Sequence, residues 1–208
     1  MESTVAPVQK PRGIDGKNFA ALLFLFELDD QRKLIERGIA RLRESAEHWT
    51  KMHRGVDDGK RSPPIEIVER CANVLGATAG VKRVLYPCGR KDRRVIRRCE
   101  LLRRLLDKPA LPTIETLAVR DSWEHADERL DSMLAQRPRG ISVSSLYVAA
   151  EDPAPDQITL RRFDPVAFAI HYRDDVLSLV ELGKEASTIG DRVKHAYPRL
   201  MDNIVDLY

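Results

Sequence analysis

Residues 19–49, FAALLFLFELDDQRKLIERGIARLRESAEHW, place Phe24, Leu28, Ile35, Leu42 and Trp49 mostly at intervals of seven, with Ile39 and Ala46 between them. That spacing keeps one apolar stripe on one face of a helix for about eight turns. A helix this long needs partner helices along its length, so the stretch predicts a bundle. Outward from it, HRGVDDGKRS breaks the pattern, and Ser62 before Pro63 offers an N-cap and a first-turn proline for a second helix. The expected inward stripe of that helix is Ile65, Val68, Ala72, Leu75 and Ala79, with Gly76, Ala77 and Gly80 allowing close helix contact. YPCGRK ends it. A third helix spans about Arg90 to Asp107 on a stripe of Val95, Cys99, Leu102 and Leu106. After KPALP, a fourth runs from about Thr113 to Gln136 through Val119, Trp123, Ala126, Leu130 and Met133.

Beyond Pro138 and Gly140 the period changes to two. Ile141, Val143, Ser145 and Tyr147, then Ile158 and Leu160, then Val166, Phe168, Ile170 and Tyr172 predict two or three short antiparallel strands. Asp174 or Asp175 is placed to cap a last helix with Val176, Leu179, Ala186 and Val193 inward, the chain ending in a short segment after Pro198. The predicted fold is therefore mainly α, a four- to five-helix bundle with a small antiparallel β element near the C-terminus. Residues 1–16, with Pro7, Pro11 and Gly13, read as a flexible tail. Residues 17–208 read as one domain, its bundle at 17–136 and its β-containing extension at 137–208.

The 208 residues are 43% hydrophobic and 32% charged, which excludes collagen-like, mucin-like and wholly disordered chains. The longest apolar run, Phe19 to Phe26, is far below the ~18 residues of a membrane span, so no membrane association is expected. Cys71, Cys88 and Cys99 are odd in number and lack CxxC spacing, and the N-terminus has no signal-peptide core; a reducing cytoplasm is the expected setting. The net charge of +3 is uneven, since Lys82 to Lys108 holds 11 basic residues against three acidic ones. Arg90, Arg93, Arg94, Arg97 and Arg98 on the third helix are the candidate RNA-binding residues, their guanidinium forks suited to phosphates. With little aromatic interleaving, base stacking is not expected there.

The fourth helix carries Arg120-Asp121-Ser122-Trp123-Glu124-His125 followed by ADERL. An arginine can hold a phosphate, and a histidine exchanges protons near neutral pH. This segment resembles the HEPN family of helical-bundle proteins, many of them prokaryotic toxin and antiviral endoribonucleases, whose signature is Arg, four to six residues beginning with a polar one, then His, in a late helix of the bundle. Arg43 and His48 have the same spacing, but Glu44 follows that arginine; Asp121, the acidic run and the place in the bundle favour Arg120. The resemblance implies metal-independent RNA cleavage to 2′,3′-cyclic phosphate ends, with Arg120, Asp121 and His125 catalytic and no cofactor. It also implies a toxin–antitoxin or antiviral defence role. On a regular helix five residues turn about 500°, leaving Arg120 and His125 roughly 140° apart, so a homodimer with facing helices assembles the site more simply than one chain.

Other readings stand beside this one. Arg120 with Glu124, and His125 with Asp121 or Glu128, also fit solvent-exposed helix pairs. The arginine-rich helix also suits a non-catalytic interaction module that binds nucleic acid or an acidic protein. A further alternative is an antitoxin-like or regulatory partner in which Arg120 and His125 hold a dimer interface, and in the nuclease reading an antitoxin or regulatory protein is a candidate partner. His48 and His53 with Asp57 and Asp58 match no metal-site spacing, so no metal is assigned. His171 is expected opposite the apolar strand face and His195 near a helix end. There is no Walker loop or GxGxxG.

Overall fold

A computed structural model describes residues 16–55, 64–119, 142–144, 147–149, 157–172 and 175–205. Helices α1 (Gly16–His53), α2 (Pro64–Leu85), α3 (Arg93–Leu105) and α4 (Pro112–Thr116) precede strands β1 (Ser142–Ser144), β2 (Tyr147–Val148), β3 (Gln157–Thr159), β4 (Arg162–Asp164), β5 (Ala169–Tyr172) and β6 (Asp175–Ser178), and α5 (Leu179–Val205) follows. The architecture is mainly helical with a small sheet near the C-terminus, as the change of period predicts.

The stripe on α1 is the spine of the core. Leu28, Ile35 and Leu42 are fully buried, with Ile39 and Ala46 beside them, while Phe24 and Trp49 at its ends are half-buried. Helices α2 and α5 pack along it. On α2 the buried residues include Ile67, Cys71, Val74, Thr78, Val81 and Leu85; of the predicted stripe Leu75 and Ala79 are buried and Val68 half-buried, while Ile65 and Ala72 are exposed. Both sets have helical spacing, and contact with α1 and its neighbours buries the first set and the C-terminal part of the second. A Cβ on Gly38 would collide with Cγ2 of Val74, so the missing side chain on α1 admits the valine of α2. Gly80 does lie close to α1, against the Gln31 side chain, whereas Gly76 faces open space.

The last helix starts later and ends later than its sequence suggests. Asp175 to Ser178 form β6, Val176 is exposed, and the Ser178 hydroxyl takes the cap by accepting the Glu181 N–H at 3.3 Å. Strand pairing with β5 satisfies the backbone that an aspartate cap would have turned into a helix. Leu179, Ala186 and Val193 are buried as expected, and α5 continues through Pro198 to Val205 instead of stopping before a separate segment.

In the sheet, β4, β5 and β6 are successive antiparallel neighbours, β2 joins β4 in parallel, and β1 pairs with β3 in parallel. The three antiparallel strands β4, β5 and β6 are the expected small antiparallel element, and the parallel pairs β2–β4 and β1–β3 are additional to it. Val166 and Phe168 belong to the turn before β5 rather than to a strand. The Asp164 carboxylate accepts the N–H groups of Val166 and Ala167 at 2.9 and 2.8 Å, folding the chain back before Phe168, which takes a left-handed φ of 50°. The sheet is tied to α1 by the Trp49 indole, whose Nε1 donates to the Val148 carbonyl at 3.2 Å.

Candidate nucleic-acid interface

Asp92 starts α3 by accepting the Arg94 N–H at 2.8 Å, and Cys99, Leu102 and Leu106 turn to the core. With the stripe fixed, the remaining faces must carry the arginines. Arg90, Arg93, Arg94 and Arg97 are exposed, and among the described residues none of the four forms an ion pair. Their like charges are crowded on little more than one turn of helix and the preceding loop, an arrangement that attracts an anion.

Arg98 behaves differently from its neighbours. Its guanidinium sits 4.7 Å from the ring centroid of Phe24 and donates through Nη2 to the Arg83 carbonyl at 2.9 Å. It therefore clamps α3 to α1 and α2 and is half-buried, which sets it apart from the four exposed cations. Farther along, Arg103 lies 4.9 Å from the Tyr86 ring and Arg104 donates Nε to the Glu100 carbonyl at 3.3 Å. Burial and the nearby Glu115 carboxylate push the Tyr86 phenol above its ordinary pKa, against the opposing pull of Arg103. A cleft of about 590 Å³ opens here between Pro87, Ile96, Glu100, Arg104 and Lys108.

Arg120, Asp121 and His125 lie outside the described residues; the segment that leads to them does not. The expected single helix from Thr113 is interrupted: α4 ends at Thr116, and Leu117 takes a left-handed conformation with φ 38°. Burial of both Ile114 and Leu117 pins that bend, and helical backbone resumes at Ala118 and Val119. Lys82 at the end of α2 donates Nζ to the Thr116 carbonyl at 3.0 Å. The basic end of α2 thus touches the chain four residues before Arg120.

A residue missing from the sequence reading holds α4 in place. Glu185 of α5, buried in the core, accepts the N–H of Thr113 at 2.8 Å and of Ile114 at 3.0 Å. Leu111 at the N-cap position supplies no side-chain bond, so a carboxylate from another helix does so. The only sequence signal is an acid beside the inward stripe of Leu182, Ala186 and Ile189.

The remaining candidates have structural surroundings. Arg43 sits 5.2 Å from the Phe168 ring, and the His53 ring stacks on Trp49 at 3.6 Å. His171 faces Arg162 across the β4–β5 pair, Nδ1 lying 3.2 Å from Nη2. His195 is in mid-helix, where α5 outruns the predicted end. Cys71 and Cys99 are buried, and burial pushes the Cys71 thiol up to about 12; Cys88 is exposed. Among the described residues there is no cluster of metal-ligand side chains, and no helix is long and apolar enough to cross a membrane. Comparison with protein-family models, curated proteins and solved structures gives no match.

Proposed function

We propose that the protein is a HEPN-like, metal-independent endoribonuclease of the toxin–antitoxin or antiviral defence kind. The observation that supports this most is the exposed arginine surface of Arg90, Arg93, Arg94 and Arg97, in a chain whose sequence also carries the Arg120–His125 pattern. In this reading the α3 arginines hold RNA phosphates, and Arg98 contributes by keeping α3 seated. His125 moves a proton at the ribose 2′-OH or the leaving oxygen, Asp121 fixes its tautomer from one turn away, and Arg120 stabilises charge on the pentacoordinate phosphorus. The products are a 2′,3′-cyclic phosphate and a 5′-OH. Two chains with facing motif helices complete the site, so the active form is a homodimer, and an antitoxin or regulatory partner would restrain it.

Incubating the pure protein with mixed RNA in excess EDTA, wild type beside His125→Ala, tests the proposal. Cleavage by the wild type alone, leaving cyclic phosphate, supports it; equal cleavage by both excludes His125. The same basic surface favours a second reading, a non-catalytic helical module for nucleic acid or an acidic protein partner. That reading expects salt-sensitive binding lost on Arg94→Glu, with no cleavage by any variant.

A further inference from the structure

The surface between α1 and α2 holds a groove of about 470 Å³ that plays no part in the site described above. Arg37 and Arg41, one turn apart on α1, face Arg70 and Asn73 of α2 across it, and among the described residues no carboxylate lines it. Arg70 is a fixed wall: it donates to the Arg41 carbonyl at 3.3 Å and pairs with Glu66 at 3.0 Å. Arg37 and Arg41 are exposed, and neither enters an ion pair among the described residues. The carboxylates nearest these arginines along α1 are Glu36, which Arg32 engages at 2.8 Å, and Glu44, which is exposed and does not line the groove. Gly76 forms an open floor, since a Cβ there would meet nothing within 4 Å.

Beyond the groove, α2 carries a further exposed arginine toward its α3 end. Arg83 is exposed and lies seven residues beyond Gly76, two helical turns along the same face and about 10 Å farther on. Its backbone carbonyl receives Arg98 of α3, so this end of α2 adjoins α3. We propose that the α1–α2 groove is a second phosphodiester track, occupied by single-stranded RNA that extends past α3, with Arg37 and Arg41 as its phosphate contacts. This rests on the RNA reading above. Small floor residues let a strand backbone lie deep between the helices, and the excess of arginine over carboxylate selects a polyanion.

Binding of the full chain to fluorescent 2′-O-methyl RNA, which lacks the attacking hydroxyl, tests the track with strands of roughly 4 and 12 nucleotides, one at the lower end of ordinary single-strand site sizes and one well above it. Arg37→Gln with Arg41→Gln should weaken binding of the longer strand about 10-fold near 0.1 M salt, and lower its log–log salt slope by about 1.4, while the shorter strand is unaffected. Gly76→Glu, which places a carboxylate on the open floor without a clash, should act in the same direction. If Arg94→Gln weakens both strands but the groove variants change neither affinity nor slope, the track is overturned and the RNA reading survives. If the wild type binds neither strand at low salt, both fail together.

Discussion

Glu185 caps Ile114 from across the fold, its Oε2 accepting the Ile114 N–H at 3.0 Å while Oε1 takes that of Thr113 at 2.8 Å. The two residues are 71 positions apart, and the bond fixes the short helix that leads into the Arg120 segment. Glu185→Ala leaves two N–H groups without their acceptor and should destabilise the protein by about 2–3 kcal/mol in urea unfolding. Glu185→Gln retains one acceptor oxygen and should lose less.

The crossing of α1 and α2 depends on Gly38. Gly38→Ala drives a methyl into Val74, and overpacking of this kind costs about 1–3 kcal/mol. Adding Val74→Ala to that variant should recover part of the loss, so a double-mutant cycle will show coupling between the two sites. Additive losses would mean that the helices move apart instead.

Arg98 and Arg94 are sequence neighbours in composition but not in role. Arg98→Ala removes the contacts to Phe24 and the Arg83 carbonyl and should lower stability by about 1–2 kcal/mol. Arg94→Ala, at an exposed site, should leave the melting curve nearly unchanged and weaken RNA binding. Thermal melts and binding isotherms on the two variants separate these effects.

Acid should act through Asp29. Burial alone would raise its pKa, but hydrogen bonds from Lys33 and Arg32 outweigh that and hold the carboxyl below 3.8. A carboxyl that releases its proton more readily when folded contributes stability above the unfolded value and loses it as the pH falls through the folded one. Stability should therefore drop as the pH is lowered from about 4, and Asp29→Asn should flatten that part of the profile, as followed by urea midpoints at successive pH values.

At high pH the sign is reversed. Burial, reinforced by the Asp29 and Asp30 carboxylates, pushes Tyr197 up to about 12, and burial alone does the same to Cys71. Both prefer the neutral form when folded, so their contribution is intact below their ordinary values of 10.0 and 9.0 and is lost as the pH rises toward 12. With iodoacetamide at neutral pH, native protein should react rapidly at Cys88 alone, and all three thiols should react in denaturant.

Much of the bundle was legible in local periodicity. Leu28, Ile35 and Leu42 are at the centre of the core because a helix repeats its faces whatever surrounds it; the helix starts were legible only approximately, α2 beginning at Pro64 and α3 at Arg93 after the Asp92 cap where the sequence suggests Pro63 and about Arg90. The positions that sequence placed wrongly had two local solutions of similar quality. On α2, two apolar stripes share the helical period, and the space left by Gly38 admits Val74 while Ile65 and Ala72 stay exposed. At Asp175, a helix cap competes with a strand, and pairing to β5 decides. In the candidate site, the exposed arginines were readable as a charge cluster, whereas the inward turn of Arg98 needed the Phe24 ring from another helix.

By itself the sequence determined the helical class, the spine of α1, the change to strands after the bundle and the concentration of positive charge on α3, since each follows from residues within a few turns of one another. Tertiary structure alone decided the register of α2 on α1, the left-handed break at Leu117, the cap that Glu185 lends to α4 and the groove that Arg37 and Arg41 share with α2. Those features join residues tens of positions apart, and their free energy exists only once distant helices have met.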